Sequence, residues 1–314
     1  MLINAVSSSA PISSLGEPVK TLPATCTEAP PVDVFENKPV LASPCAVTAP
    51  CAKNEVMVAF WNAENLFDTV DNPGVEDTEF TPVGERGWTE PKLAQKIASL
   101  GRVVRAMNNG RGPDILGLCE IENRGVLTRL RDEGLSLLGY QSIAHIEGPD
   151  PRGIDCAILS RFPMLGQPTL HVVHENSGLW DKPTRGILEA SFDVQGTPLT
   201  VFVNHWPSKR GGRIRDEQRR LVGQKLAQLV QQKRQIDPLA KVIVLGDFNA
   251  NPTEEALGPT GLGATFDRHK VCQAPAALYH TITEISDNPT STTLTPQDVQ
   301  AMMSQQGNLV GTLF

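Results

Sequence analysis

The run VMVAFWNAENLFD sets Val56, Val58 and Phe60 in alternation with Met57 and Ala59, apolar on both sides. That predicts a strand buried on both faces. In TEPKLAQKIASLGRVVRAMNN the apolar positions Leu93, Ile97, Leu100, Val104 and Met107 recur at helical spacing, with Thr89 as N-cap and Pro91 in the first turn. ILGLCEIE predicts a second buried strand, Asn123 to Gly134 a helix, and SIAHIEG and GIDCAILSRFP two further strands. ILEASFDVQGTPLTVFVNHW reads as a hairpin turning at Gln195-Gly196-Thr197-Pro198. A long amphipathic helix follows in IRDEQRRLVGQKLAQLVQQKRQ, with Leu221, Leu226 and Val230 on its inner side. It leads to KVIVLGDFNANP, the most strand-like run of the chain. Helices alternating with strands, some joined by hairpins, predict a mixed-sheet α/β sandwich.

Two segments depart from this rhythm. Residues 1–54 carry eight prolines and little apolar periodicity, and read as a flexible leader ahead of a domain spanning 55–314. The chain closes on GNLVGTLF, which is apolar and strand-like.

Composition narrows the picture only slightly. The 314 residues are 40% apolar and 20% charged, as in a soluble globular protein. A net charge of −7 argues against adhesion to nucleic acid by bulk charge, so an anionic substrate needs a local basic patch or a metal ion. No run approaches the roughly 18 apolar residues of a membrane-spanning helix. The start, MLINAVSSSAPISSLGEPVK, lacks the basic segment and apolar core of a secretory signal. Cys26, Cys45 and Cys51 lie in the leader, where a Cys45–Cys51 disulfide is one option; Cys119, Cys156 and Cys272 lie in the body. Cys119 and Cys156 sit in strand-like runs as reduced, small hydrophobes. No CxxC pair occurs, which gives a zinc site little support.

The candidate chemistry lies where apolar strands end. Asn62 follows VMVAFW, Glu120 follows ILGLC, His205 follows LTVFVN, and Asp247 and Asn249 follow VIVLG. One polar residue at a strand end means little. Four such ends carrying Asn, Glu, His and Asp-x-Asn describe a site, because strands fix what projects from their ends. The set suits phosphoryl transfer assisted by a hard divalent cation. Glu120 and the side-chain oxygen of Asn62 are the candidate ligands. Asp247 would orient water, Asn249 would donate to phosphate, and His205 would donate to developing charge or carry a proton.

WNAENLFD, LCEIEN, RGIDCAIL, VNHWPSKRGG and VLGDFNANP, in this order from about Val56 to Thr253, resemble the motifs of the endonuclease/exonuclease/phosphatase superfamily. The resemblance implies a four-layer α/β sandwich of two mixed β-sheets, deoxyribonuclease-I-like, and Mg²⁺- or Mn²⁺-dependent cleavage of phosphate esters. Its metal positions fall on Asn62 and Glu120, its catalytic His on His205, and its Asp-x-Asn pair on Asp247 and Asn249. Asp155 lies where many members carry an acid that pairs with that His, which would raise the His205 pKa; a strand-edge turn cap is the equal alternative. Arg152 is either a phosphate contact or the partner of Asp155. Ser208, Lys209 and Arg210, in the Gly-rich loop after His205, are expected to bind phosphate. Arg215, Arg219 and Arg220 are expected on a helix surface, paired with Asp216 and Glu217.

The family pattern also has a late Asp and a final Ser-Asp-His. Ser286-Asp287-Asn288 carries Asn in place of that His and reads as a polar loop, and His269 and His280 lie in loop-like surroundings. The resemblance implies that VGTLF opens a strand whose continuation lies beyond Phe314, so that the domain lacks its last strands. The expectation is a monomeric Mg²⁺-dependent phosphodiesterase, a nuclease acting on DNA or RNA, secreted or periplasmic. The alternatives are a truncated or non-catalytic homologue, or a phosphatase or phospholipid phosphodiesterase of the same superfamily.

Overall fold

The computed structural model describes residues 56–173, 183–267, 270–271, 277–280 and the backbone of 308–310. The leader, Ser286-Asp287-Asn288, His269 and Cys272 lie outside the described residues.

Strands β1 (Val58–Leu66), β2 (Ile115–Ile121), β3 (Ser142–His145) and β4 (Asp155–Ser160) form one sheet in the order β1-β2-β4-β3. β1 and β2 run parallel, and β4 is antiparallel to both its neighbours. A second sheet holds β5 (Met164–His171), β6 (Ile187–Val194), β7 (Thr197–His205), β8 (Lys241–Asp247), β9 (Ala264–Thr265), β10 (Leu278–His280) and β11 (Asn308–Val310). Its order is β5-β6-β7-β8-β11-β10-β9. β6 and β7 are the expected hairpin, and β7 and β8 run parallel. Helices α1 (Glu90–Ala106), α2 (Arg124–Arg129) and α3 (Arg213–Ile236) complete the described architecture.

Strand pleating sorts the apolar residues into layers. Val58, Phe60, Ile115, Cys119 and Ile158 from the first sheet pack against Leu188, Val201, Val203, Ile243 and Leu245 from the second. Their immediate neighbours point the other way. Ala59, Leu116, Leu118, Ala157 and Leu159 meet Leu93, Ile97, Leu100 and Val104 of α1. Phe202, Val242 and Val244 meet Val222, Leu226, Leu229 and Val230 of α3. The order is therefore helix, sheet, sheet, helix, which is the mixed-sheet sandwich that the alternation predicts and the four layers that the resemblance implies. Each fully buried Val, Leu or Phe contributes about 1.5–3 kcal/mol. Gly117 lets the sheets close, since a Cβ there would lie 3.1 Å from Val203 and 3.3 Å from Leu245.

Several details correct the sequence reading. The inward stripe of α3 is Val222, Leu226, Leu229 and Val230, while Leu221 is only half-buried. Strand β5 escaped notice because its alternation is weak: it is an edge strand, partly exposed along its length, and Pro168 interrupts it. The helix after Asn123 closes its last turn, Leu130–Gly134, as a π turn, with Asn123 Oδ1 accepting from the Val126 N–H at 2.9 Å. His280 is no loop residue. It ends β10, is 1% exposed and stacks on Phe266. Asn308–Val310 forms a strand parallel to β8 on one side and β10 on the other, while all of the expected VGTLF strand but Val310 lies outside the described residues.

Candidate active site at the sheet edges

β1 and β2 of one sheet, and β7 and β8 of the other, run parallel within their pairs and end at the same edge of the sandwich. By the alternation of the interlayer core, Asn62 continues the face of Val58 and Phe60, His205 that of Val201 and Val203, and Asp247 that of Ile243 and Leu245. All three thus turn inward, toward the facing sheet. His205 and Asp247 are register partners across β7 and β8.

Glu120 is out of phase. Strict pleating places it on the helix side with Leu116 and Leu118. The β2–β4 register shifts between Cys119 and Ile121, so Glu120 is the extra residue of a bulge, and its φ of 59° lies in the left-handed region. That conformation costs a non-glycine residue about 1 kcal/mol and turns the carboxylate into the cleft.

The four side chains meet there. The Asn62 Nδ2 donates to Glu120 Oε1 and to Asp247 Oδ2, both at 3.2 Å, and so ties the two sheets together. Its Oδ1 accepts from the Glu64 N–H at 2.8 Å, which fixes the amide with nitrogen toward the carboxylates. His205 Nε2 lies 3.6 Å from Glu120 Oε1. The other oxygen of Asp247 accepts from the Asn249 N–H at 3.0 Å, and Asn249 Nδ2 donates to the Trp206 carbonyl. Asn249 has a φ of 47°, a second left-handed residue at the site.

The surroundings hold this edge in place. Trp206 donates its indole N–H to Asn204 Oδ1, and Asn204 Nδ2 donates to the Leu245 carbonyl. Trp206 also packs edge-on to Phe248. Behind Glu120, the buried Glu122 accepts from the Asp68 N–H and from Asn72 Nδ2, which anchors the loop leaving β1. Burial pushes the Glu122 carboxyl up to about 8.

The expected pairing of Asp155 with His205 does not form. Asp155 shares the helix-facing side of β4 with Ala157 and Leu159, the side opposite to the interlayer core. Its Oδ1 accepts from the Gly148 N–H, and its Oδ2 lies 3.9 Å from His145 Nε2. His205 accordingly shifts the other way from the expectation. Burial first, then Arg185 and Arg152, hold it well below 6.5, so the ring is neutral near pH 7. Its Nδ1 is buried with no hydrogen-bond partner among the described residues. The facing Glu120 carboxylate favours the tautomer with its proton on Nε2.

The expected phosphate contacts separate. Ser208 and Arg152 line a cavity of about 860 Å³ beside Pro207, with Arg185 and Arg215. Lys209 is instead held by Glu254 at 2.7 Å, and Arg210 is exposed. Arg219 pairs with Asp216 as expected, but it is buried and donates to the Pro207 carbonyl at 3.0 Å, so it braces the loop after His205. Arg220 pairs with Glu217.

Two residues at the site escaped sequence reading. Arg185 donates to Asp150 Oδ2 at 2.7 Å and to the Trp206 carbonyl at 3.3 Å. Its only signal was a basic residue just before β6. Lys96 of α1 donates to the Glu64 carbonyl at 3.1 Å. Burial lowers its pKa against the opposing pull of Glu64 and Glu120.

The match over residues 57–305 decides the family. The chain belongs to the endonuclease/exonuclease/phosphatase family. Members of this family are phosphoric ester hydrolases, and the two mixed sheets with outer helices are its deoxyribonuclease-I-like fold. No curated protein matches the chain. Among solved structures it is similar to sphingomyelinase C from Streptomyces griseocarneus, with a TM-score of 0.40 and 16% identity over 50% of this chain and 59% of that one. A β-hairpin deletion mutant of beta toxin from Staphylococcus aureus gives 0.47 and 14%, over 76% and 83%. Another beta toxin mutant, with bound magnesium ions, gives 0.39 and 17%, over 52% and 60%. The chain spans about three-fifths of the length of the first and third of these. Among the described residues no helix is long and apolar enough to cross a membrane.

The family's divalent cation fits the donors present. Glu120 and Asp247 offer hard carboxylate oxygens at one point, held there by one amide, and both side chains are only partly buried. Mg²⁺ and Mn²⁺ favour such a set, because they retain water and need few protein ligands.

Proposed function

We propose that this chain is a Mg²⁺- or Mn²⁺-dependent phosphodiesterase that cleaves nucleic acid by in-line attack of water. The observation that carries the reading is the Asn62 amide, which draws the Glu120 and Asp247 carboxylates from two sheets to one point, with His205 facing Glu120. Bound at Glu120 and Asp247, the cation would neutralise charge on the phosphoryl oxygens. Asp247 retains lone pairs on both oxygens and orients the attacking water. His205, neutral and protonated on Nε2, donates a hydrogen bond to the developing negative charge. Asn249 has a second amide hydrogen for a phosphate oxygen, beyond the one given to Trp206. Asn62, expected from the sequence as a metal ligand, instead positions both carboxylates through its nitrogen, since its oxygen accepts from the Glu64 N–H.

Nucleic acid is favoured by the adjoining cavity. Arg152, Arg185 and Arg215 face it against only Glu76 and Asp150, so in a chain of net charge −7 this lining keeps a local excess of positive charge where a neighbouring phosphate of a polyanion would sit. A secreted or periplasmic location remains part of the proposal and rests on the motif resemblance and on the leader cysteines Cys26, Cys45 and Cys51.

The test is plasmid nicking and oligonucleotide cleavage by the full chain, with Mg²⁺ and with EDTA, beside a phosphomonoester and a sphingomyelin arm. Glu120→Ala and His205→Ala are each expected to lower cleavage by roughly 10²–10⁴-fold. Equal background rates for wild type and both variants would make the chain a non-catalytic member. Turnover of only the monoester or the lipid would overturn the nucleic-acid assignment.

A further inference from the structure

On the other face of the first sheet lies a polar cluster that the proposed reaction does not use. His145 ends β3 and Asp155 begins β4, and both share the pleat of Ile143 and Ala157 rather than that of the interlayer core. Glu147 follows in the connecting loop. The His145 side chain is 2% exposed and that of Asp155 7%, while Glu147 reaches solvent at 64%. One ligand atom from each residue lies within 4.8 Å of the other two.

Two atoms in this cluster are stranded. His145 Nε2 and Asp155 Oδ2 are buried without a hydrogen-bond partner among the described residues, although they face each other at 3.9 Å. A buried imidazole nitrogen and a buried carboxylate oxygen, both unpaired and facing each other, each carry a desolvation cost. A cation between them removes both.

We propose that His145, Asp155 and Glu147 form a second divalent-cation site, separate from the Glu120–Asp247 edge, that takes Zn²⁺ or Mn²⁺ in preference to Mg²⁺. One imidazole with two carboxylates is a borderline donor set, whereas Mg²⁺ and Ca²⁺ favour oxygen alone. The spacing suits a single ion. Tetrahedral bonds of about 2.0–2.2 Å place ligand atoms about 3.3–3.6 Å apart, so the His145–Asp155 pair at 3.9 Å closes by a few tenths of an ångström, and the exposed Glu147 swings in by about 1 Å. Protonation states agree with this geometry. Burial, then the charge of Arg124, lower the His145 pKa to about 4, which leaves its lone pair free for a metal. Burial raises Asp155 to about 7, with Glu147 adding to the rise, so without a cation the two acids compete for a proton. Metal binding at this site releases that proton.

Equilibrium dialysis of the full chain against Zn²⁺ or Mn²⁺, with bound metal counted by mass spectrometry, tests the site without using activity. The double variant Glu120→Gln/Asp247→Asn, which disables the catalytic edge, is expected to retain one tightly held Zn²⁺ and a Zn²⁺-dependent rise in Tm. Adding Glu147→Gln should weaken that ion by roughly 10–100-fold, and adding His145→Gln should abolish it. Glu147 is exposed, so its variant keeps the fold and guards against loss by misfolding of the His145 variant. If the double variant binds no Zn²⁺, or binds it equally with Gln at 147, the cluster shares a proton only and the proposal fails.

Discussion

Replacing Asn62 by Asp keeps the size of the side chain and the oxygen on the Glu64 N–H, but exchanges a shared donor for a third carboxylate. The replaced nitrogen lies 3.2 Å from both Glu120 Oε1 and Asp247 Oδ2. Two unit charges about 4 Å apart repel by about 1 kcal/mol in water and about 4 kcal/mol at the effective dielectric of a protein surface. With the Glu120 side chain 17% exposed, the site lies between these limits. Two such pairs therefore repel by about 2–8 kcal/mol in the metal-free protein, before any proton is taken up. Proton uptake limits the penalty, since each unit by which a carboxyl pKa rises corresponds to about 1.4 kcal/mol. The sign follows. Repulsion raises the folded-state pKa, the folded form then binds more protons than the unfolded, and stability falls as pH rises through the raised pKa. In EDTA the Tm of the variant should lie about 5–15 °C below wild type near pH 8 and approach it near pH 5. Excess Mg²⁺ should recover most of the loss, because the third carboxylate strengthens cation binding. Differential scanning fluorimetry across pH, with and without Mg²⁺, measures all of this. An unchanged Tm in EDTA near pH 8, or a drop that Mg²⁺ leaves intact, would refute the bridging role of Asn62.

Gly117→Ala should cost about 1–3 kcal/mol by urea unfolding, because its Cβ meets Val203 at 3.1 Å between the sheets; metal affinity at the sheet edge should not change. Arg185→Ala removes the ion pair to Asp150 and the bond to the Trp206 carbonyl; steady-state kinetics should show KM for a polynucleotide rising roughly tenfold, and more than kcat falls. His280→Phe should flatten the acid limb of stability. Burial lowers the folded pKa of His280 from 6.5 to about 4, so the unfolded chain takes up the proton first. Stability is then lost as pH falls from 6.5 toward 4, by up to about 3 kcal/mol; urea titrations across that range should show a shallower loss in the variant, with His145 and His205 still contributing.

Much of this protein was legible before any coordinates. Pleating is local and has a period of two, so Asn62 shares the side of Val58 and Phe60, His205 that of Val201 and Val203, and Asp247 that of Ile243 and Leu245. The helices over Glu90–Ala106 and Arg213–Ile236 follow from local periodicity in the same way. The weakly patterned edge strand β5 did not, since half-exposed positions leave no clean alternation to read.

Tertiary structure decided what pleating cannot. Glu120 stands out of phase in its strand, and only the extra residue in the pairing of β2 with β4 turns it into the cleft. Asp155 obeys its pleat, and for that reason faces His145 and not His205. Arg185 reaches the site through Asp150 and the Trp206 carbonyl, two partners far from it in sequence. The amino-acid order sets which way each strand residue points, through sterics that span a few bonds. Which strands lie side by side, where a register slips and which loop meets which carboxylate are set by the packing of the two sheets, to which every distant segment contributes.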